Sequence, residues 1–400
     1  MDFSLSEEQV ALKGTVRDFG DREIVPKIQA YYDQDKFPRD ILQKMGALGF
    51  FGCAFPEKYG GTDMGFLSEV LVAEELAHAD PGVSSNFNVQ GVTVPTAIFH
   101  YGTEAQAQEY IPKCLSAEVI PFWAMTEPDA GSDFAAINCR ATKKDGYYVL
   151  NGTKMWITHA PVADMGIVFA KTNPDLKHKG ISGFIIDTKW PGVKTATIKG
   201  KFLTPICPVG FLYLDDVKVP AENLLGVENE GFSAALNSMD FGRCVVPARS
   251  VGWAQACLDF AVKYANERTA FGQRIGSFQM IQKTLADMVV ELEAARYLVY
   301  RAAWMKDAGL PSSRESSIAK LFATEAGERI CSQALTIHGG NAFSDEFPIA
   351  RFYARVRISM NGEGSSNIQR VIIAQDALGW KKANRHLLHG RRVETEQPTT

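Results

Sequence analysis

The chain has 400 residues, of which 22% are charged and 46% hydrophobic, and its formal net charge is −4. A chain of this length is too long for one ordinary hydrophobic core and predicts two or three subdomains. A mildly acidic chain without a block of lysines and arginines is a poor candidate for binding nucleic acid or a membrane surface, because both need clustered positive charge.

The first ten residues, MDFSLSEEQV, contain no basic region followed by an apolar run. They indicate neither a secretory signal nor a transit peptide, so the predicted location is the cytoplasm. No apolar stretch approaches the roughly 20 residues that a membrane-spanning helix needs. The seven cysteines are scattered without a C-x-x-C pair, which predicts reduced, buried thiols rather than disulfides or a metal site.

Residues 1–121 are predicted to form a helical domain. Ser6 and Gln9 have the spacing of a capping box, and apolar residues follow them at helical spacing. The adjacent acids Glu74 and Glu75 fit a solvated face of a helix.

Residues 122–230 are predicted to form a small antiparallel β domain. Asn151 and Gly152 stand between two apolar runs, which is the strongest short signal for a β-hairpin turn. Further short apolar runs separated by Gly, Pro and Asp add strands to this block. The pair Asp215 and Asp216 is interpreted as a turn.

Helical periodicity returns in residues 231–385, which are predicted to form a four-helix bundle. Gly309 stands where the C-terminal cap of a long helix belongs. One apolar face of that helix contains Leu285, Met288, Leu292, Ala295, Val299 and Ala302. Residues 386–400 are predicted to be a tail, whose last residues, VETEQPTT, have the composition of a disordered segment. The three blocks together predict an α+β multidomain fold.

The stretch NGEGSSNIQR, residues 361–370, places one carboxylate, Glu363, between Gly362 and Gly364. The hydroxyl and amide side chains that follow are good caps for the next apolar segment, so a helix-start loop is the simpler interpretation. A cap needs no acid framed by glycines, however, and this framing indicates a backbone that comes close to a ligand.

Two segments of the β block leave their function open. Residues 123–133, WAMTEPDAGSD, are rich in turn formers and fit either a surface turn or a loop that presents N–H groups and hydroxyls to a polar ligand. Residues 156–158, WIT, fit core packing or a cofactor wall. Neither a G-x-G-x-x-G nor a P-loop fingerprint is present, and no G-x-S-x-G or H-E-x-x-H supports nucleophilic or metal catalysis.

Taken together, these loops resemble the acyl-CoA dehydrogenase family. The resemblance covers about residues 3–383. Within the family, the chain resembles the glutaryl-CoA-type and aromatic-degradation branches. The matching segments follow the family's order and spacing: AMTEPDAGSD (124–133), NGTKMWIT (151–158), ERTAFGQRIGSFQMIQ (267–282), HGGNAFSDEFPIAR (338–351) and GEGSSNIQR (362–370).

The resemblance implies an FAD between the β domain and the C-terminal bundle. The positions that line its flavin ring are Trp123, Met125, Thr126, Trp156, Ile157 and Thr158. The positions that reach the FAD of a neighbouring subunit are Arg268, Phe271 and Gln279, which implies a homotetramer built from two dimers. The remaining cofactor positions are Ser132, Gly339, Gly340, Ser365 and Asn367.

The resemblance also implies the reaction. Glu363 matches the catalytic base, which removes the proton next to the thioester carbonyl while a hydride leaves the next carbon for the flavin. Some family members place the base on a helix instead, at a position occupied here by Gly242, which cannot serve. The positions assigned to acyl-CoA are Ser132, Asp240, Arg243, Val89, Gly362 and Gly364.

The preferred acyl group is predicted to be bulky and neutral, branched or alicyclic. In much of the family a tyrosine precedes the base, whereas Gly362 leaves that space open. Residues 84–92, which by resemblance line the far end of the acyl site, contain no Arg or Lys, whereas glutaryl-type enzymes carry an arginine there. A dicarboxylic group such as glutaryl or benzylsuccinyl becomes the alternative if Arg249 or another basic side chain folds into the site.

Three further alternatives stay open. The same site could reduce an enoyl-CoA, since direction depends on the electron partner, which the resemblance identifies as an electron-transfer flavoprotein. The chain could also bind acyl-CoA or flavin without redox turnover. His159, next to Thr158, could modulate the flavin, but a partly exposed, hydrogen-bonded histidine is the simpler interpretation.

Overall fold

The structure is a computed structural model that describes residues 4–200, 202 and 206–383. The described chain has a helical N-terminal part, a β-sheet in the middle and a helical C-terminal part, as predicted. The predicted tail, 386–400, lies outside the described residues.

The N-terminal part is formed by helices of very different lengths. They are α1 (Glu7–Phe19), α2 (Ile28–Asp33), α3 (Arg39–Ala47), α4 (Phe66–Ala79), α5 (Pro81–Phe87), α6 (Val94–Tyr101) and α7 (Glu104–Leu115). Two π-helical segments, Gly20–Ile24 and Asn88–Thr93, continue α1 and join α5 to α6. The predicted capping box is confirmed, since the Ser6 hydroxyl accepts from the Gln9 N–H at 3.2 Å and the Gln9 side chain accepts from the Ser6 N–H at 3.1 Å.

The prediction of a solvated face for Glu74 and Glu75 is wrong, because each residue is only 4% exposed. Glu75 pairs with Lys13 at 2.9 Å and with Arg17 at 2.5 Å, both on α1. Glu74 pairs with Arg296 at 3.1 Å, in the C-terminal part of the chain. Buried carboxylates need such partners, so the two acids tie α1 and α4 to a helix more than 200 residues away.

The middle part of the described chain is an eight-stranded β-sheet. Its strands are β1 (Pro121–Ala124), β2 (Arg140–Lys144), β3 (Tyr147–Thr158), β4 (Met165–Lys171), β5 (Ile181–Asp187), β6 (Val193–Thr197), β7 (Val209–Pro220) and β8 (Leu224–Leu225). Their order is β6-β7-β3-β2-β4-β5-β8, with β1 on β4. Most neighbours are antiparallel, but β1 and β2 both pair with β4 in parallel.

The predicted hairpin turn at Asn151 is wrong, because β3 runs straight through it. The tight turn lies earlier, at residues 145–146, and joins β2 to β3. At Asn151 the β3–β7 ladder has a bulge, in which Asp215 and Asp216 on β7 oppose one residue on β3. The Asn151 side chain donates to and accepts from Asp216, both at 2.9 Å. The predicted turn at these two acids is therefore a bulge as well.

The C-terminal part contains the longest helices. They are α8 (Gly231–Glu267), α9 (Gln279–Asp307), α10 (Ser313–His338), α11 (Ile349–Ser359) and α12 (Ser366–Ala377). A short hairpin, β9 (Thr269–Ala270) and β10 (Gln273–Arg274), separates α8 from α9. The predicted apolar face of α9 is confirmed, and Gly309 follows the end of the helix with a left-handed φ of 64°.

The prediction of reduced, buried cysteines can be checked directly. All seven cysteines are free thiols and buried. In the part of the chain that the structure describes, no group of three or more potential ligands could hold a metal ion. Within that same part, every helix is too short or too polar to span a membrane.

Candidate active site

Glu363 lies on the short loop between α11 and α12. Its φ is 55°, in the left-handed region that non-glycine residues rarely adopt. Gly364 has a φ of 90°, and a Cβ there would lie 2.8 Å from the Gln369 amide nitrogen. Ser365 caps α12 by accepting from the Ile368 N–H, so the capping prediction is also confirmed.

The two carboxylate oxygens of Glu363 have different surroundings. Oε1 accepts a hydrogen bond from the Asn88 side chain at 2.8 Å. Oε2 is buried and has no hydrogen-bond partner in the described part of the chain. The carboxyl also lies against α8, because a Cβ added to Gly242 would be 2.9 Å from the Glu363 Cδ. A free oxygen therefore faces the interior beside a helix that has no side chain at this point.

Burial raises the pKa of Glu363 above its ordinary value. The positive charge of Arg243 is the largest opposing influence, followed by Arg249, the Asn88 hydrogen bond and Lys320. Burial in turn lowers the pKa of Lys320 to about 8. Glu363 is thus a desolvated carboxyl among buried cations.

Three polar side chains hold the Glu363 loop by its carbonyls. Arg243 donates to the Glu363 carbonyl at 3.2 Å, and Lys320 donates to the Met360 carbonyl at 3.0 Å. Gln369 donates to the Glu363 and Gly364 carbonyls at 3.3 and 3.0 Å. Because these three side chains bind the backbone, none of them occupies a carboxylate oxygen of Glu363.

Asp240 and Arg243, both of which the resemblance assigns to acyl-CoA, pair at 2.5 Å on α8. Ser313 donates a hydrogen bond to the other oxygen of Asp240. Val89 is buried in the π-helical segment, one residue after Asn88. Gly362 has no atom within 4 Å of an added Cβ, so the space beside it is open.

The structure brings the two predicted flavin segments of the β domain side by side. The Met155 N–H donates to the Thr126 carbonyl at 2.9 Å. The buried Lys154 ammonium donates to the Met125 carbonyl at 3.1 Å and pairs with Glu127 at 2.8 Å. This brings Trp123, Met125 and Thr126 to the end of β3, where Trp156, Ile157 and Thr158 lie.

These six residues offer a flat aromatic ligand several surfaces. Trp156 is 51% exposed and has a φ of 61°, at a register shift of the β3–β7 ladder. The indole N–H of Trp123 is buried without a partner in the described residues. Ile157 differs from the others, because its side chain packs in the core of the sheet and only its backbone is available.

The residues assigned to a neighbouring subunit's FAD lie on the hairpin after α8 and at the start of α9. Phe271 is 96% exposed, and Arg268 and Gln279 are also exposed. Arg268 has no ion-pair partner in the described ranges. No hydrogen bond between described residues links them to the flavin segments of their own chain.

The remaining candidates are spread over the surface near helix ends. Gly339 and Gly340 are exposed and follow α10 directly. Ser132 is exposed on the loop after β1, and Asn367 is exposed in the first turn of α12.

His159 is buried, not partly exposed as predicted. Its Nδ1 lies 2.9 Å from the Pro121 carbonyl oxygen, and its Nε2 lies 2.9 Å from the Asn86 side-chain oxygen. Burial lowers its pKa to about 4. The hydrogen-bonded part of the prediction is confirmed.

Several residues of the site were missed by the sequence interpretation. Asn88 lies in residues 84–92, here called the acyl segment because the resemblance places it along the acyl site. Its polar amide was the feature by which it could have been recognised as a site residue. Lys320 gave no signal, since it acts on the loop from α10, and Gln369 lies within the stretch 361–370 but was not assigned a role.

Arg249, in contrast, was named in the sequence analysis as a basic side chain that could fold into the site. It lies on α8 and donates to the Ser84 and Ser85 carbonyls at 3.2 and 3.1 Å. The acyl segment itself contains no Arg or Lys, but an arginine from α8 lies against it. The absence of a basic residue from residues 84–92 is therefore no longer a reason to predict a neutral acyl group.

Comparison with known proteins identifies the class. Family models described as acyl-CoA dehydrogenase N-terminal, middle and C-terminal domains match residues 6–118, 123–217 and 229–378. Glutaryl-CoA dehydrogenase of Desulfococcus multivorans is 42% identical, over 96% of this chain and 100% of that protein. Caffeyl-CoA reductase-Etf complex subunit CarC of Acetobacterium woodii is 37% identical, over 92% and 98%. A solved glutaryl-CoA dehydrogenase in complex with glutaryl-CoA is 41% identical, with a TM-score of 0.94 over 98% of this chain and 100% of that one.

The three-part fold and these relatives define an oxidoreductase that acts on CH–CH bonds. The chain belongs to the acyl-CoA dehydrogenase family.

Proposed function

We propose that the protein catalyses the FAD-dependent α,β-dehydrogenation of an acyl-CoA thioester to the 2-enoyl-CoA, with Glu363 as the base. The observation that carries this proposal is the buried Oε2 of Glu363, which has no partner among the described residues while Oε1 is held by Asn88. Removal of a weakly acidic α proton needs such a positioned, desolvated acceptor.

The proton on the α carbon passes to Oε2, and the carboxylate becomes a carboxylic acid. Burial raises the pKa of Glu363, so the carboxyl holds this proton more tightly than a solvated glutamate does. Arg243 and Lys320 lower the same pKa and favour the ionised form before substrate binds. These opposed influences suit a group that accepts a proton and later releases it.

The family is FAD-dependent, and the residues in place fit FAD. The unpartnered indole N–H of Trp123 and the exposed face of Trp156 suit the flavin ring, with Met125, Thr126 and Thr158 beside them. The free guanidinium of Arg268 suits a phosphate, because its planar fork matches phosphate oxygens. When bound, FAD would supply the oxidation at the β carbon by accepting the hydride lost there, which is one proton with two electrons.

We infer two partners. Arg268, Phe271 and Gln279 are exposed and have no described contact to their own flavin segments, which supports their use by a neighbouring subunit in a homotetramer. An electron-transfer flavoprotein suits the role of electron acceptor, since the relative CarC is named as part of an Etf complex.

The second candidate is the reverse reaction, reduction of an enoyl-CoA, because CarC is named a reductase. In that direction Glu363 donates its proton to the α carbon. The two directions differ in which thioester changes the flavin spectrum first: a saturated acyl-CoA bleaches oxidised flavin, whereas an enoyl-CoA reoxidises reduced flavin.

Glu363→Gln tests the proposal, because it keeps the shape and removes the basic oxygen. A positioned base contributes about 10²–10⁴-fold, so anaerobic flavin bleaching by acyl-CoA should slow by at least that range while flavin content stays normal. Bleaching near the wild-type rate would identify another base. A wild-type protein whose flavin no acyl-CoA bleaches, and no enoyl-CoA reoxidises, would be a binding protein on this fold.

A further inference from the structure

Arg249 lies close to the proposed base. It follows Gly242 by seven residues on α8, so the two residues share one face of the helix and lie about 10.5 Å apart along its axis. Helical side chains lean toward the N-terminus, so the Arg249 side chain leans back toward Gly242, against which the Glu363 carboxyl lies.

The charge of Arg249 has no acidic partner at ion-pair distance within the described ranges. The residue is 7% exposed, and its Nε is buried without a hydrogen-bond partner. Its contacts are two backbone carbonyls through Nη1 and the ring of Trp253, whose centroid is 5.6 Å away. A buried cation without a counter-ion is strongly destabilising, because its lost hydration is not replaced.

A second buried arginine adds to the positive charge. Arg355 on α11 donates to the Ser85 hydroxyl. Burial, followed by the charge of Arg355, lowers the pKa of Arg249 to about 10. Glu363 is the acid whose charge acts on Arg249, and it takes up a proton during the proposed reaction. Two buried arginines thus lie against Ser84 and Ser85, whereas the buried acid Asp80 caps the start of α5 and forms no ion pair with either arginine among the described residues.

We propose that Arg249 binds an anionic group at the far end of the acyl chain, so that the substrate is a dicarboxylic acyl-CoA. This inference rests on the proposed function, because it places the acyl chain between Glu363 and Arg249. A carboxylate matches the guanidinium fork and would give Nε a partner. It replaces the neutral acyl group predicted from the sequence of residues 84–92.

The competing explanation is structural, namely that Arg249 only caps the Ser84 and Ser85 carbonyls. The two explanations differ in their effect on Glu363, which is surrounded by Arg243, Arg249, Lys320 and the Asn88 amide. A substrate carboxylate that neutralises Arg249 removes one influence that lowers the pKa of Glu363. The apparent pKa of the base should therefore be higher with a dicarboxylic substrate bound than with a neutral one.

The test compares kcat/KM for glutaryl- and benzylsuccinyl-CoA with kcat/KM for butyryl-, isobutyryl- and cyclohexanecarboxyl-CoA. The wild-type protein should favour a dicarboxylic thioester by at least roughly tenfold. Arg249→Met should reduce this preference by roughly 30-fold or more, since truncating one partner of a buried charge pair has effects of that size. Arg249→Lys, which keeps the charge but not the fork, should fall between the two.

A wild-type preference for a neutral thioester would overturn the proposal, as would an Arg249→Met variant that loses both substrate classes equally. The pH profile adds a second readout: the difference in the apparent pKa of the base between glutaryl- and butyryl-CoA should disappear in Arg249→Met. Calorimetric titration of glutaryl- and butyryl-CoA into the Glu363→Gln variant, with and without Arg249→Met, measures the same preference without turnover. It separates failure of this inference from failure of the proposed reaction.

Discussion

Replacing Gly242 by alanine tests whether α8 sets the position of the base. The added Cβ would lie 2.9 Å from the Glu363 Cδ and 3.0 and 3.1 Å from its two oxygens. Unstrained carbon contacts are about 3.5–4.0 Å, so the carboxyl has to retreat by roughly 0.6–1 Å. A misplacement of about 1 Å can cost about 10²-fold in rate. We expect the rate of substrate-dependent flavin bleaching to fall by about that factor.

The fold should tolerate the change, because alanine is favoured over glycine by about 0.5–1 kcal/mol within a helix. Gly14→Ala in α1 is the matched control, since its added Cβ meets no atom within 4 Å. The assay is anaerobic stopped-flow at saturating acyl-CoA, with flavin content and thermal unfolding measured on the same samples. If Gly242→Ala bleaches within threefold of the control variant, contact with α8 does not position the carboxylate.

Three other predictions follow from contacts outside the base. Arg268→Ala should lower both flavin content and the mass measured by light scattering, whereas Arg274→Ala on the same hairpin should not; a fully flavinylated monomer would contradict this. Glu74→Ala should destabilise the protein by about 3 kcal/mol in urea unfolding, because it removes the buried acid that pairs with both Lys13 and Arg296 and leaves Arg296 only the half-exposed Glu293. Asp287→Ala, in an exposed pair with Lys283, should cost about 0–1 kcal/mol, and equal losses would contradict burial of Glu74. Burial lowers the pKa of His159 from 6.5 to about 4. As the pH falls, His159 is therefore protonated in the unfolded chain before it is protonated in the folded one. The free energy of unfolding should fall by about 3 kcal/mol between pH 6.5 and 4. His159→Gln should flatten that part of the pH profile, and an unchanged slope would exclude His159 as its source.

Local signals in the sequence predicted local structure well. The capping box at Ser6 and the apolar face of α9 depend on residues three to eight apart, and both are present in the structure. The prediction of a turn at Asn151 failed because the Asn-Gly dipeptide is equally compatible with a bulge. Only the pairing with β7 decides between a bulge and a turn. The change from helical periodicity to short apolar runs and back predicted the helical, β and helical parts, and the family resemblance covers the same outline.

The electrostatics of the site could not be predicted from the sequence for a related reason. Asn88 acts on Glu363 across 275 residues, and Arg249 reaches Ser84 across 165. Such contacts carry no sequence spacing by which they could be recognised. Likewise, Glu74 and Glu75 have the pattern of a charged surface until α1 and α9 are placed against them.

The ion pairs of Glu74 have a consequence for synthesis of the chain. Lys13 lies 3.1 Å from the Tyr300 hydroxyl, which donates to Glu74 at 2.8 Å. At about 5–20 residues per second, a ribosome needs roughly 15–60 seconds between making the first helix and completing α9. During that interval Glu74 lacks Arg296 and Tyr300, so the first helices should pack incompletely. A nascent or truncated chain that ends before α9 should therefore expose apolar surface and depend on chaperones to stay unaggregated.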